Sequence, residues 1–285
     1  MKTIAVTGAS GFVGKHVLNA IAIAGHRSIA LSRNPVEADR CEWMRLDLSD
    51  PESATIRAIA QADSVVHLAW GGLPNYRNSS HLELELPRQI AFIDRLAQEG
   101  LRALVVSGTC LEYGSREGVC TEQMQPSPEL PYPQAKEMLR QHLVHLRQQK
   151  WFPLAWCRLF YMFGDGQPAH SLWQQLRTKA SQGDRSFPMS GGQQIRDFLP
   201  VTEVARRLAM IALTSVDAGT VNICSGTPMS VEQIVRDWIQ ENGWAIKPEL
   251  GCFPYPDYEP FAFWGSIHHW QDIEAKACAV LSRHA

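Results

Sequence analysis

The chain has 285 residues, 45% of them hydrophobic, and a formal net charge of −2. That length allows a sizeable buried core, held in one domain or in one plus a small second. The near-neutral charge, without a basic tract, leaves no electrostatic footprint for nucleic acid. Seven cysteines stand at scattered spacings with no CxxC and no clustered Cys/His pattern, which reads as free thiols in a reducing compartment and not as disulfides or a metal site. The start, MKTIAVTG, has no apolar leader with a cleavage site. No stretch approaches the roughly 20 apolar residues of a membrane span, so a cytoplasmic protein without a membrane partner is expected.

In chain order, Thr3–Thr7 reads as a buried strand and Val13–Ala24 as a helix. Arg27–Leu31 and Cys41–Leu46 follow as strands, and Ser64–Leu68 and Ala103–Val106 as short branched runs of the parallel-sheet kind. Glu83–Gln98 carries a helical face, Pro133 suits the first position of a helix reaching about Gln149, and Leu154–Phe160 is a sixth strand. This alternation predicts an α/β fold, a doubly wound parallel sheet covered on both faces. Past Gly164 the rhythm loosens into helices over Ser171–Ser181 and Val201–Leu213, a turn-rich stretch over Gln182–Gln194 and a strand over Thr220–Cys224. A helix over Ser230–Gln240 follows, with Ser230 as its cap. The tail GCFPYPDYEPFAFWGS has no period and reads as an ordered aromatic loop on the substrate side. Residues 1–165 are taken as the dinucleotide-binding core, to which later segments return, and 166–285 as a mainly substrate-binding cap.

TGASGFVG sets Gly8, Gly11 and Gly14 at GxxGxxG spacing between a strand and a helix. In a dinucleotide-binding reading Gly8 makes the tight turn, Gly11 admits the pyrophosphate and Gly14 lets the helix pack on the sheet. The free N–H groups at the helix start bind phosphate. Alone, the spacing fits a purely structural glycine turn equally well; the flanking strand and helix tip the balance. At the end of the second strand, where an acid would accept from a ribose 2′-hydroxyl, the chain has Ser32 and Arg33. A 2′-phosphate would suit Arg33, so NADP(H) is the expected cofactor with NAD(H) as the alternative, unless Arg33 is simply an exposed loop arginine. Asp47 either accepts from the adenine amino group or caps the turn at Ser49-Asp50.

Tyr132 and Lys136 lie one helical turn apart. Reducing a ketone leaves charge on oxygen that needs a proton, and a neighbouring ammonium lowers a phenol's pKa so that it can serve. Thr109 is expected to orient the carbonyl, with Ser107 as the competing hydroxyl. Together these features point to nicotinamide-dependent hydride transfer at a carbonyl or hydroxyl carbon. Of nine Trp, four (Trp151, Trp156, Trp173 and Trp264) are placed where a sugar or base pocket would use them, with plain packing as the default reading.

TGASGFVG, Asp47-Leu48, HLAW at His67–Trp70, SGTCLEYG, the Tyr132/Lys136 pair and RDFLPV at Arg196–Val201 jointly resemble the extended short-chain dehydrogenase/reductases. This is the branch of nucleotide-sugar epimerases, dehydratases and reductases. HLAWGGLPNY, FYMFGDGQ and PYPDYEPFAFWG further resemble bacterial reductases of dTDP-6-deoxy-4-ketohexoses. The resemblance implies a Rossmann fold, Thr109, Tyr132 and Lys136 as catalytic residues, and a cofactor held by Ser10, Gly11, Phe12 and Val13. Asp47, Leu48, Leu68, Ala69, Trp70, Ser107 and Phe160 join these as candidate cofactor contacts. A nucleotide sugar is the implied partner, with Trp70, Gly71, Thr109, Glu112, Tyr161, Arg196, Tyr255 and Tyr258 as candidate contacts; Arg196 would reach its diphosphate or ribose, unless it only pairs with Asp197. A homodimer is left open.

Departures from the pattern are Tyr161 where the family has Asn, Asp165 in place of Pro, and YPQAK in place of Tyr-Gly-x-Ser-Lys. Cys110 and Leu111 stand where dehydratases keep their acids, and Glu112 is expected to face away from that role. NADPH-dependent reduction at C4 of a nucleotide-linked 6-deoxy-4-ketohexose for a surface polysaccharide is therefore the leading expectation. A nucleotide-sugar 4-epimerase and a non-catalytic dinucleotide sensor are the alternatives.

Overall fold

The structure is a computed structural model that describes residues 1–256 and 259–282. From β1 (Thr3–Thr7) the chain runs through α1 (Phe12–Ile23), β2 (Arg27–Ser32), β3 (Cys41–Arg45), α2 (Ser53–Ala60), β4 (Ser64–His67), α3 (Leu86–Gln98), β5 (Leu104–Thr109), β6 (Gly118–Cys120), α4 (Pro131–Gln149) and β7 (Leu154–Leu159). It continues through β8 (Tyr161–Phe163), α5 (Leu172–Ser181), β9 (Ser186–Pro188), β10 (Ile195–Pro200), α6 (Val201–Thr214), β11 (Gly219–Ile223) and β12 (Pro228–Ser230). The last elements are α7 (Val231–Glu241), β13 (Lys247–Glu249), β14 (Phe263–Gly265) and α8 (His268–Ser282).

Seven strands form one parallel sheet in the order β3-β2-β1-β4-β5-β7-β11. The apolar runs read as strands lie in it because they are covered on both faces, except the edge strand β3, which is mostly exposed. Ile4 and Val6 of β1 pack toward α1, α6 and α8, through Val17, Leu18, Leu208 and Trp270. Ala5, on the opposite face, belongs with Ile56 of α2, Phe92 and Leu96 of α3 and Leu139 and Leu143 of α4. The order reverses at β1, with β2 on one side and β4 on the other. That switch point opens a crevice beyond the carboxyl ends of the strands, where open α/β sheets take their ligands.

Several boundaries differ from expectation for local reasons. The expected Glu83–Gln98 helix is α-helical only from Leu86, after a π-helical turn over His81–Glu85. Pro87, in the first turn of α3, has no N–H to extend the ladder backward. The first position of α4 belongs to Pro131, not Pro133; both fall among the first four residues, whose N–H groups have no helical partner anyway. Ser230 caps α7 as expected, accepting from the Gln233 N–H at 3.1 Å. Within the turn-rich stretch, β9 pairs with β13. The tail is not all loop, since β14 pairs in parallel with β6 and buries Phe263.

Asp197 of β10 joins distant segments. Its carboxylate accepts from the N–H groups of Ser225 at 2.6 Å, Gly226 at 2.9 Å and Gly265 at 3.4 Å. α5, α7, β9 and β13 gather around a separate small core that includes Leu176, Phe187 and Trp238. Among the described residues no helix is long and apolar enough to cross a membrane, and no cluster of His, Cys, Asp or Glu is arranged to hold a metal ion.

Candidate active site

The glycine turn occupies the crevice. Gly8 has φ of +68°, a left-handed conformation that suits glycine. A Cβ on Gly14 would collide with the Gly8 carbonyl oxygen and come within 2.8 Å of Ala9 Cα, so this glycine is what lets α1 sit against β1. No side chain caps α1, whose N-cap is Gly11, and no acid lies in its first turn. The helix therefore presents unsatisfied N–H groups and the positive end of its dipole, a site for phosphate. Gly8, Gly11, Phe12, Val13 and Gly14 line a cavity of about 650 Å³, together with Leu68, Trp70, Ser107 and Phe160. These residues fit a dinucleotide. Ser10 and Ala69 lie outside that lining.

The chain leaving β4 is held from beneath by a closed hydrogen-bond network. Thr7 Oγ1 accepts from the N–H groups of Leu68 at 3.1 Å and Ala69 at 3.2 Å, and lies 2.8 Å from His67 Nδ1. Gln89 donates to the Ala69 carbonyl at 3.1 Å, which turns its Oε1 toward His67 Nε2 at 2.5 Å. Nε2 must therefore carry the proton and Nδ1 accept from Thr7. Burial pushes the His67 pKa down to about 4, so the ring is neutral.

Tyr132 and Lys136, on the first turns of α4, face the same cavity as Thr109 at the end of β5. Lys136 Nζ donates to the Ser107 carbonyl at 2.8 Å and sits 4.0 Å from the centre of the Trp70 ring. The expectation that the ammonium draws the phenol pKa downward is not met in this geometry. Burial dominates both groups: with Tyr76, Glu112 and Cys110 nearby it raises the Tyr132 phenol, and it lowers Lys136 to about 7 against the pull of Glu112 and Glu85. The free site thus presents a neutral phenol, suited to giving a proton. Ser107, the competing hydroxyl, lies 3.4 Å from the His67 carbonyl.

Glu112 does not reach the cavity, and its place among substrate contacts is corrected. It is fully buried, accepts from the Thr109 N–H at 2.8 Å and from Trp156 Nε1 at 3.0 Å, and pairs with Arg158 Nε at 2.7 Å. Trp156 accordingly belongs to the core, and Trp151 is 71% exposed; Trp173 reaches the cavity lining. Leu48 and Gly71 also lie outside the lining, and the Gly71 N–H is spent on Glu85 at 3.0 Å.

On the far side, Tyr161 and Arg196 line the cavity with Glu259. The Arg196 fork is already engaged, by Glu259 at 2.9 Å and by the carbonyls of Ile195 at 2.8 Å and Phe261 at 3.1 Å. The alternative Arg196–Asp197 pair does not form, because Asp197 is turned to backbone N–H groups. Tyr255 lies off the cavity, its hydroxyl 3.4 Å from Gln193. Tyr258 falls outside the described residues. Tyr76 and His81, which sequence reasoning missed, stack on or tilt against Tyr132 at 5.4 and 5.3 Å; nothing in their local spacing signals that meeting.

With this geometry in view, comparison with known proteins is decisive. The family described as "NAD dependent epimerase/dehydratase family" matches residues 4–224. The chain belongs to that family. It is a Rossmann-fold, NAD(P)-binding oxidoreductase of the extended short-chain type. The chain is 27% identical over 269 residues to dTDP-6-deoxy-L-talose 4-dehydrogenase (NAD(+)) of Aggregatibacter actinomycetemcomitans, covering 92% of this chain and 99% of that protein. It is 25% identical to a UDP-glucose 4-epimerase of Neisseria meningitidis serogroup B, covering 89% and 88%. Among solved structures, MoeE5 in complex with UDP-glucuronic acid and NAD matches with a TM-score of 0.80 and 24% identity, over 95% of this chain and 92% of that one.

These findings overturn the expected NADP(H) preference. MoeE5 is solved with NAD, as is UDP-glucuronic acid 4-epimerase of Bacillus cereus, which matches at 20% identity and a TM-score of 0.76 over 98% of this chain and 93% of that one. The physical reason is visible at the end of β2. Ser32 donates to the Asn34 carbonyl at 2.6 Å and accepts from Trp43 Nε1 at 3.1 Å, so its hydroxyl is spent. Arg33 is exposed, off the cavity lining. The Asp47 carboxyl is held below its ordinary range, chiefly by bonds from Ser49 and also by the charges of Arg33 and Arg45. Asp47 caps its own turn, accepting from Ser49 N at 3.0 Å and Ser49 Oγ at 2.7 Å, which is the alternative reading of that residue.

Proposed function

We propose that the protein is an NAD-dependent enzyme that oxidises and re-reduces C4 of a nucleotide-linked hexose, working as a 4-epimerase. The observation that carries this is the convergence of Thr109, Tyr132 and Lys136 on one cavity continuous with the glycine turn. Bound NAD supplies the hydride acceptor. Tyr132 would take the proton of the C4 hydroxyl as a phenolate, a form that the positive charges of bound NAD and of Lys136 would have to favour over the neutral phenol of the free site, and would return it on reduction, while Thr109 orients that oxygen. Phosphate is placed at the α1 N-terminus, with Leu68, Trp70, Ser107 and Phe160 around the rest of the cofactor.

Epimerisation requires the keto sugar to turn over between two hydride transfers. Much of the cavity wall is aromatic or aliphatic, including Leu73, Pro74, Tyr76, Leu111 and Phe198. Such a wall gives a hexose apolar surface against which its ring can turn. The epimerase relatives among the similar proteins support the same reading. Residues 166–285 are assigned mainly to substrate binding, with Tyr161 and Arg196 nearest the sugar nucleotide, and the compartment is taken as cytoplasmic from the free thiols.

A second reading, one-way oxidation or reduction at C4 of a dTDP-linked 6-deoxyhexose, is favoured by the match covering 99% of the talose 4-dehydrogenase. One experiment separates the two. The purified protein is incubated with UDP-, dTDP- and GDP-hexoses, absorbance at 340 nm is followed with added NAD, and products are identified by NMR. Formation of the C4 epimer without net NADH supports the epimerase. A 4-keto product with stoichiometric NADH supports the dehydrogenase. No reaction across the panel overturns both.

A further inference from the structure

Trp70 touches both members of the proton-transfer pair. Lys136 Nζ lies 4.0 Å from its ring centre, and the Tyr132 ring meets it edge-on at a centroid distance of 5.9 Å. Lys136 is 2% exposed, and its ammonium donates to the Ser107 carbonyl. An ammonium so far removed from water needs other sources of stabilisation, and the face of an indole is the best that an aromatic side chain offers.

The indole is itself aimed. Trp70 Nε1 donates to His81 Nδ1 at 3.1 Å, and His81 Nε2 lies 2.9 Å from the Asn75 carbonyl. An Nδ1 that accepts and an Nε2 that must donate define a single neutral tautomer. His81 is fully buried and tilts against Tyr132 at 5.3 Å, while Tyr76 stacks on that ring at 5.4 Å. The Tyr132 N–H also bonds the Tyr76 carbonyl at 3.1 Å. The segment from Trp70 to His81 is therefore built around the catalytic pair and not only around a ligand.

We propose that Trp70 is a positioning residue for the proton-transfer pair, its indole face holding the Lys136 ammonium over the cavity floor, with His81 fixing the angle of that face. This rests on the redox reading above, in which Tyr132 carries the proton. The charged and titratable groups facing Lys136 are Glu112 beside Thr109, Glu85 in the turn before α3 (itself bonded to Arg88), His67 at the end of β4, and Tyr132 on its own helix. The two carboxylates favour the ammonium, burial opposes it, and His67, uncharged near neutral pH, adds no opposing charge.

The test follows Lys136 directly in the protein without added substrate. The chain has seven lysines, so the Cε signals of selectively carbon-13-labelled lysine are few, and loss of one peak in K136M assigns the signal. The wild-type midpoint is expected near pH 7. W70L is expected to move it down by about half a pH unit or more, and W70F to restore most of that shift by returning an aromatic face. If W70L does not fold, judged by its melting curve, H81Q keeps the indole but removes the bond that aims it and is expected to shift the midpoint in the same direction. A Lys136 midpoint unmoved in folded W70L, or in H81Q where W70L does not fold, overturns the proposal. Y132F separates this failure from failure of the functional reading: if Y132F turns over normally the redox assignment falls, whereas an inactive Y132F beside an unmoved Lys136 midpoint removes only the role of Trp70.

Discussion

His67 and Lys136 are both buried beside the crevice, and burial pushes each toward its uncharged form, yet their surroundings differ in kind. His67 sits in a closed circuit with Thr7 and Gln89 in which each ring nitrogen has a partner of the right sense. Lys136 donates to the Ser107 carbonyl and otherwise rests on an aromatic face. Glu112 resembles His67, since its carboxylate is filled by Thr109, Trp156 and Arg158. A buried polar group whose bonds are all met by protein maintains the fold. One left with spare donors toward a cavity remains available to a substrate, at some cost in stability.

That contrast is open to direct attack. The largest effect is expected at the available group: Y132F removes the proton carrier, and kcat should fall by about 10²–10⁴-fold while NAD affinity, read by titration of the bound cofactor, stays near wild type. Turnover close to wild type would mean that Tyr132 belongs with the structural groups. Next comes the filled carboxylate. E112Q leaves Arg158 buried opposite a neutral amide and should cost about 3–5 kcal/mol in urea unfolding; a cost under about 1 kcal/mol would show that the pair is not holding β5 to β7.

His67 gives a smaller, pH-dependent effect. Its folded pKa of about 4 lies below its ordinary value of 6.5, so between those values the unfolded chain binds more protons and stability falls as pH drops. Between pH 7 and 5 the wild type should lose roughly 2 kcal/mol from this residue, a loss absent in H67N when the two proteins are unfolded in parallel. Equal slopes would place His67 outside the acid response. The smallest effect belongs to exposed Arg33. R33A should change the ratio of kcat/KM with NAD to that with NADP by less than about twofold, as surface substitutions do; a larger swing would return this arginine to cofactor selection.

The parts legible in the sequence were those with local causes. Three glycines between a strand and a helix announce the phosphate turn, because each is required by geometry within seven residues. The Tyr132/Lys136 pair is legible because one helix carries both. The filled network was not, because its members come from distant elements: Glu112, in the helical turn after β5, meets Arg158 of β7 46 positions away. The one available hint was an arginine inside an otherwise apolar parallel strand, LAWCRLF, where a charge must find a partner. Trp70 could be flagged as a pocket residue but not as the seat of Lys136, since its angle depends on His81 and on the π-helical turn that places it. Helix α2 escaped notice because its eight residues are too few for a firm period. The tail strand β14 was missed for the same reason, with three residues that pair only because β6 is already there.

Asp197 has a consequence for how the molecule is made. Its three backbone partners come from residues 225, 226 and 265, and Phe263, beside the last of them, packs against Tyr161 and Arg196 at the cavity wall. A nascent chain halted before residue 263 can already have laid down β1 to β7 and the glycine turn. It would still lack the ring that backs Tyr161 and one donor to a buried carboxylate. Such a chain would also lack Trp270 and Ile273 of α8, which cover the β1 side of the sheet, so both ends of the crevice wait for the tail.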